Sequence, residues 1–154
     1  MSTAITLEAI ESAQTKVNAM IEAFKKQPPL PRYPLTIQPP NLKDGEIHVG
    51  IIISADGTRR HHLILLPGEA ESKNWKEAMD WAASIGGELP DRVESALLFA
   101  TMKSEFKEAC YWTRELHVSG SLYAWGQYFD FGGQDYWITY TPLRARAVRR
   151  LEIL

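Results

Sequence analysis

Ten of the sixteen aromatic residues fall between Tyr111 and Tyr140, and the chain has one cysteine, Cys110. No intrachain disulfide can form, and large apolar bodies such as Trp112 and Trp125 suit a core without one. Short strands are the economical way to place them. Tyr111-Trp112-Thr113 reads as one strand. Leu122 to Phe131 reads as a longer one, with Trp125, Gln127, Phe129 and Phe131 alternating onto a core face. Gly132-Gly133 marks a turn, Asp135 to Tyr140 a third strand and Leu143 to Ile153 a fourth.

Upstream, Glu46 to Ser54 and Thr58 to Leu66 are rich in β-branched residues. Ala55-Asp56-Gly57 between them supplies turn chemistry, which predicts a β-hairpin. Two helices follow. Asn74 with Glu77, and Asp91 with Glu94, have the capping-box spacing, so side chains can satisfy first-turn amides. Trp75, Ala78, Met79 and Ala82 form the predicted buried face of the first helix, which Gly86-Gly87 ends. Val93, Ala96, Leu97 and Ala100 form the predicted stripe of the second. A hairpin, two helices and short antiparallel strands make an α+β plan.

Thr6 to Lys26 reads as a separate helix. With Leu7 at a heptad a position, Ile10 falls at d, Gln14 at a, Val17 at d, Ile21 at a and Phe24 at d. Either the helix self-associates into a dimer or trimer, or it is a single amphipathic helix docked on its own domain. Gln27-Pro-Pro-Leu-Pro-Arg-Tyr-Pro follows, with a second Pro-Pro at 39–40. Proline fixes φ and removes the amide donor, so this is an extended spacer. The expected organisation is a helix over 1–28, a proline-rich linker over 29–45 and a domain over 46–154 with its hairpin leading.

The chain's 154 residues fit one ordinary domain plus an appendage. A net charge of -2 gives no global pull toward nucleic acid or anionic membrane. No apolar run reaches the length of a membrane span. The first residues lack the basic and apolar regions of a secretory signal. Synthesis in a cytoplasm is expected, with either a cytoplasmic or a virion-associated destination.

Five pieces carry a family resemblance: the alanine-faced helix from Trp75 to Ala83, Gly86-Gly87-Glu88-Leu89-Pro90, Tyr111-Trp112-Thr113, Ala124-Trp125, and Arg144-Ala145-Arg146-Ala147-Val148-Arg149. Their order resembles the C-type lectin fold, and within it the Lcl-type C-terminal domain family of bacterial and phage proteins. The likeness covers residues 60–153. It implies that the first and last strands of the domain lie side by side, with His61 to Leu66 near Arg144 to Leu151. It also implies a non-enzymatic binding role, since the fold serves phage tropism-determinant proteins and the targets of diversity-generating retroelements. Sugar-binding relatives hold calcium in Glu-Pro-Asn or Gln-Pro-Asp loops and a Trp-Asn-Asp strand. Here Gly126 and Gln127 follow Trp125, so calcium-dependent sugar binding is not expected. The similar formylglycine-generating enzymes use cysteine chemistry, for which Cys110 has no partner.

The remaining chemistry is sparse. His48 can approach His61 or His62 across the hairpin, but His61 and His62 point to opposite faces and no carboxylate completes a site. No cofactor, metal or catalytic constellation is expected. Arg144, Arg146 and Arg150 would share one strand face, near Arg149 and Arg59-Arg60. They make either a phosphate patch or, the favoured reading, ion pairs with helix carboxylates. The expected ligand surface is Tyr128, Asp130, Gln134, Asp135, Trp137 and Thr139, with Ala124 and Gly126 leaving a shallow gap beside it. A one-residue slip exchanges its last strand for Tyr136, Ile138 and Tyr140. Two functions fit: a ligand- or receptor-binding accessory protein of phage or prophage type, or a small intracellular inhibitor that binds a host protein.

Overall fold

The computed structural model describes residues 4–28 and 37–153, divided into one compact unit over 1–36 and another over 37–154. Most of the proline-rich spacer, 29–36, lies outside the described residues. The first unit holds α1 (Leu7–Lys25). The Thr6 hydroxyl caps it by accepting from the Ala9 amide at 3.2 Å. None of its residues is buried; Leu7, Ile10, Val17, Ile21 and Phe24, all on the heptad seam, are exposed.

The second unit runs β1 (Ile47–Ile53), β2 (Arg60–Leu65), β3 (Ala70–Lys73), α2 (Trp75–Ser84), α3 (Arg92–Met102), β4 (Cys110–Leu116), β5 (Tyr123–Tyr128), β6 (Gln134–Ile138), β7 (Leu143–Ala145) and β8 (Val148–Glu152). It is an α+β structure with two small sheets. One has the order β1-β2-β8, the other β3-β7-β4-β5-β6. The expected hairpin is β1 and β2. Its turn is held by Asp56, whose carboxylate accepts from the Ser54 hydroxyl and from the Thr58 amide and hydroxyl. Those bonds, the Ser54 one foremost, hold its pKa down at about 2. β8 pairs antiparallel with β2, His61 opposite Glu152 and Leu65 opposite Val148, so the first and last parts of the unit meet.

Both capping boxes form, at Asn74 with Glu77 and at Asp91 with Glu94. α2 buries Ala78 and Ala82 against Leu89, Trp112, Ala124 and Ala145, with Trp75 and Met79 packed alongside. A second core joins Leu98 of α3 to Leu63, Leu65, Tyr111 and Phe129.

Three sequence expectations need correction. The α3 stripe is turned by about one residue, roughly 100° of helix. Its buried residues are Glu94, Ser95 and Leu98, while Val93 is 61% exposed and Ala96 and Ala100 also face outward. The cause is ionic. The Glu94 carboxylate accepts from Arg150 Nε and Nη2, both at 2.7 Å, and lies 2.9 Å from His61 Nε2.

The strand expected from Leu122 to Phe131 ends at Tyr128, and Phe131 stands 69% exposed in the turn that follows. Within the strand, Ala124 and Gly126 are buried and leave no gap. A Cβ on Gly126 would meet Cys110 Sγ at 2.8 Å. β5 is an inner strand with cover on both faces, so alternation does not separate core from surface there. Lastly, the strand expected from Leu143 to Ile153 is two strands in different sheets, so Arg144 and Arg150 do not share a face.

Candidate functional site

The β5–β6 register decides which side chains meet. Trp125 lies opposite Tyr136, Ala124 opposite Trp137, Gly126 opposite Asp135, and Gln127 opposite Gln134. Directly opposed residues share a face. Tyr128, Asp135 and Trp137 therefore belong to one face, and Gln134 to the other.

Of the expected ligand surface, Asp130 and Asp135 are exposed. Tyr128, Gln134, Trp137 and Thr139 are half-buried. Trp137 is not the open ring expected, because it packs onto the core around Trp112 and Ala124. Among the described residues its buried indole N–H meets no oxygen or nitrogen acceptor, with the Cys110 thiol as its polar neighbour. Tyr128 stacks on Phe131 at 4.8 Å. The Asp130 carboxylate accepts from the Phe131 amide at 2.9 Å, and its carbonyl accepts from Lys103 Nζ at 2.9 Å. Thr139 sits in the turn after β6, its carbonyl accepting from the Trp75 amide at 2.9 Å. Gln134 donates to the Arg92 carbonyl at 2.7 Å and to Gln127 Oε1 at 2.8 Å.

The opposite face of β6 is more open and carries Tyr136 and Ile138, while Tyr140 lies in the turn after the strand, beside the start of α2. Tyr136, Ile138 and Tyr140 are all exposed. Tyr136 packs against His117 at 4.1 Å and Trp125 at 5.6 Å between ring centroids, with Tyr123 at 5.8 Å. The Arg92 guanidinium lies 3.6 Å over the Trp125 ring, a cation–π contact. Sequence reasoning missed Tyr123, His117 and Arg92. Alternation from Trp125 points to Tyr123, whereas His117 and Arg92 arrive through pairing no local pattern encodes.

A cleft of about 530 Å³ opens beside these rings, floored by Val93 and Ala96 and walled by Arg59, Arg92, Glu115 and Gln134. A second hollow of about 380 Å³ shares Arg59, Asp91 and Glu115 and adds Arg114 and Arg150. Asp91 and Glu115 cap the start of α3. Asp91 accepts from the Glu94 amide at 2.8 Å and Glu115 from the Arg92 amide at 2.5 Å. Burial alone would raise the Asp91 pKa, but the Glu94 amide and Arg59 outweigh it and leave it lowered.

The C-terminal arginines are not a phosphate patch. Arg144 pairs with Glu69 at 3.0 Å and Glu71 at 2.6 Å, and Arg149 with Glu46 at 2.7 Å. Arg150 is held by Glu94 and Glu88. Arg146 is buried, donating to the Glu105 carbonyl at 2.5 Å and the Leu66 carbonyl at 3.2 Å. Ion pairing is the outcome, but only Glu94 among these carboxylates lies on a helix; the others sit on strands and connections.

His48 and His62 do meet, Nε2 to Nδ1 at 3.1 Å, while His61 turns to Glu94. Burial, and then the neighbouring His48 and His61, lower the His62 pKa. Among the described residues no three His, Cys, Asp or Glu side chains are grouped to hold a metal ion. Burial pushes the Cys110 thiol up to about 12, which keeps it protonated at neutral pH. Among the described residues no helix is long and apolar enough to cross a membrane. No protein-family model matches the chain, and no curated protein is similar to it in sequence.

Proposed function

We propose that this chain is a non-enzymatic binding protein of phage or prophage type that engages a protein or cell-surface ligand through the aromatic face of β5 and β6. The observation that carries the reading is exposed Tyr136 and Ile138 on the face that holds the packed group of Tyr123, Trp125 and His117. Rings held in place on a sheet offer contact area at low entropic cost. Strand addition is a poorer use of this edge, since the Tyr136 amide already donates to Asp135 Oδ1 at 2.8 Å. The resemblance to the C-type lectin fold points the same way. In this reading α1 joins copies through its exposed heptad seam into a dimer or trimer, which multiplies weak contacts.

The test is binding of labelled full-length protein to a panel of intact bacteria and their lysates. A Tyr136→Ala/Ile138→Ala variant and a chain lacking residues 1–28 run beside it. The double variant is expected to stay folded and lose binding. The truncated chain is expected to scatter light as a monomer and to bind about 100-fold more weakly through lost avidity. Undiminished binding by a folded double variant would sink the proposed face, and a monomeric full-length protein would sink the seam.

A further inference from the structure

The carboxylates of the cleft beside α3 are spent inward, while its arginines are not. Asp91 and Glu115 are committed to the amides of Glu94 and Arg92. Glu94 is fully buried under Arg150 and His61. Arg150 has Nε, Nη1 and Nη2 all engaged. By contrast, Arg59 makes one side-chain hydrogen bond, to Asp91 at 2.8 Å, and its side chain is half exposed. Among the described residues the carboxylate nearest the Arg114 guanidinium is that of Glu88, at 3.6 Å, beyond hydrogen-bonding distance. Arg92 donates once, from Nε to Gln134, and lies flat on Trp125. A guanidinium carries five N–H donors in a rigid fork suited to a carboxylate. Three such forks with unspent donors line these adjoining hollows, with Val93 and Ala96 as an apolar floor.

We propose that this cleft receives a short segment of a partner protein carrying one carboxylate beside an apolar residue. The carboxylate lies between Arg59 and Arg114, and the apolar residue on Val93 and Ala96. This deepens the proposed binding function and rests on it. The interleaved charges choose the ligand class. Asp91 and Glu115 line the same hollow and would repel a chain of phosphates at several points. A single carboxylate meets less of that repulsion, since both acids are already neutralised in part by the amides and Arg59 they accept from. The floor also has no use for a bare anion. Val93 and Ala96 belong to the stripe that sequence periodicity assigns to the core, and these two face the cleft while Leu97 of the same stripe packs on the core.

The experiment is panning of a random linear peptide library on full-length protein, followed by affinity measurement of the enriched peptides against variants. Arg114→Gln is the primary variant, because among the described residues Arg114 makes no side-chain hydrogen bond that the fold would lose. Enriched peptides are expected to share an Asp or Glu next to an aliphatic or aromatic residue. Arg114→Gln is expected to weaken them about tenfold or more, Arg114→Lys to recover part of that, and added salt to weaken the wild type more than Arg114→Gln. Replacing the peptide's acid by its amide should match the Arg114→Gln loss. Peptides without an acid, indifference to Arg114→Gln, or no enrichment would each overturn the cleft proposal. So would tight heparin or single-stranded DNA binding with the same Arg114 dependence, in favour of a polyanion. Peptides lost to Tyr136→Ala but not to Arg114→Gln would leave the aromatic face standing and remove only the cleft.

Discussion

The arginines of β8 and those of the hollows beside α3 are neighbours, Arg150 lining one of these hollows, yet they are used oppositely. At β8, Arg149 and Arg150 are each gripped by a carboxylate in a forked contact, Glu46 and Glu94. In the hollows beside α3, Arg59, Arg92 and Arg114 keep most of their donors unspent, and on and just after β6 Tyr136, Ile138 and Tyr140 stand open. The arginine run that dominates the sequence is thus architecture. Arginines outside that run, Arg59, Arg92 and Arg114, are the ones with donors to spare. Pairing, not local density, decides where charge is available.

The sharpest way to break this comparison is to remove a partner on β8. Arg150→Ala leaves Glu94, which is fully buried, without its forked donor. The expected loss of stability is about 3 kcal/mol, the lower end of the cost of breaking a buried pair, because His61, Arg59 and the Asp91 amide still face the carboxylate. Arg114→Gln, at an exposed and loosely paired site, should cost under about 0.5 kcal/mol. Urea unfolding at neutral pH reads both. Similar midpoints for the two variants would show that the two sets of arginines are not energetically different.

Glu46 sharpens the comparison through pH. Its bonds to Arg149 hold its pKa well down against the opposing effect of burial, from 4.5 to about 2. A carboxylate depressed in the folded state stabilises fully above its unfolded pKa, and that contribution drains away as pH falls through the folded value. The wild type should therefore lose this stability between pH 4.5 and about 2. Glu46→Gln should be less stable by about 1.5–3 kcal/mol at neutral pH and lack that part of the acid slope. Parallel acid titrations of the two proteins, followed by near-ultraviolet dichroism, would expose an error here.

The legible parts of the fold are those set by neighbours in sequence. Ala55-Asp56-Gly57 specifies the hairpin turn through Asp56 and a positive φ at Gly57, and both capping boxes close within four residues. The face of α3 was not legible, because Glu94 is buried by Arg150, 56 positions away. Nor was the break between β7 and β8, where buried Arg146 and Ala147 carry the chain from one sheet to the other. Alternation does place Tyr128, Asp135 and Trp137 together. It does not reveal that β5 has cover on both sides, so that Trp137 turns inward while Tyr136 and Ile138 stay open.

The smallest expected effects fall on the open face of β6 and the turn after it. Tyr140 is 76% exposed, and Ile138 is about half exposed on an edge strand. Neither belongs to a core cluster. Tyr140→Ser and Ile138→Thr should each change stability by no more than about 0.5 kcal/mol, since surface substitutions away from caps and buried pairs rarely do more. Threonine keeps the β-branch that suits a strand, so Ile138→Thr removes apolar surface without disturbing the ladder. The two changes should add, because neither alters a partner of the other. Wild-type unfolding midpoints would show that these side chains are kept for contact and not for folding. A loss above about 2 kcal/mol for either variant would place them in the core and erase the contrast between the two regions.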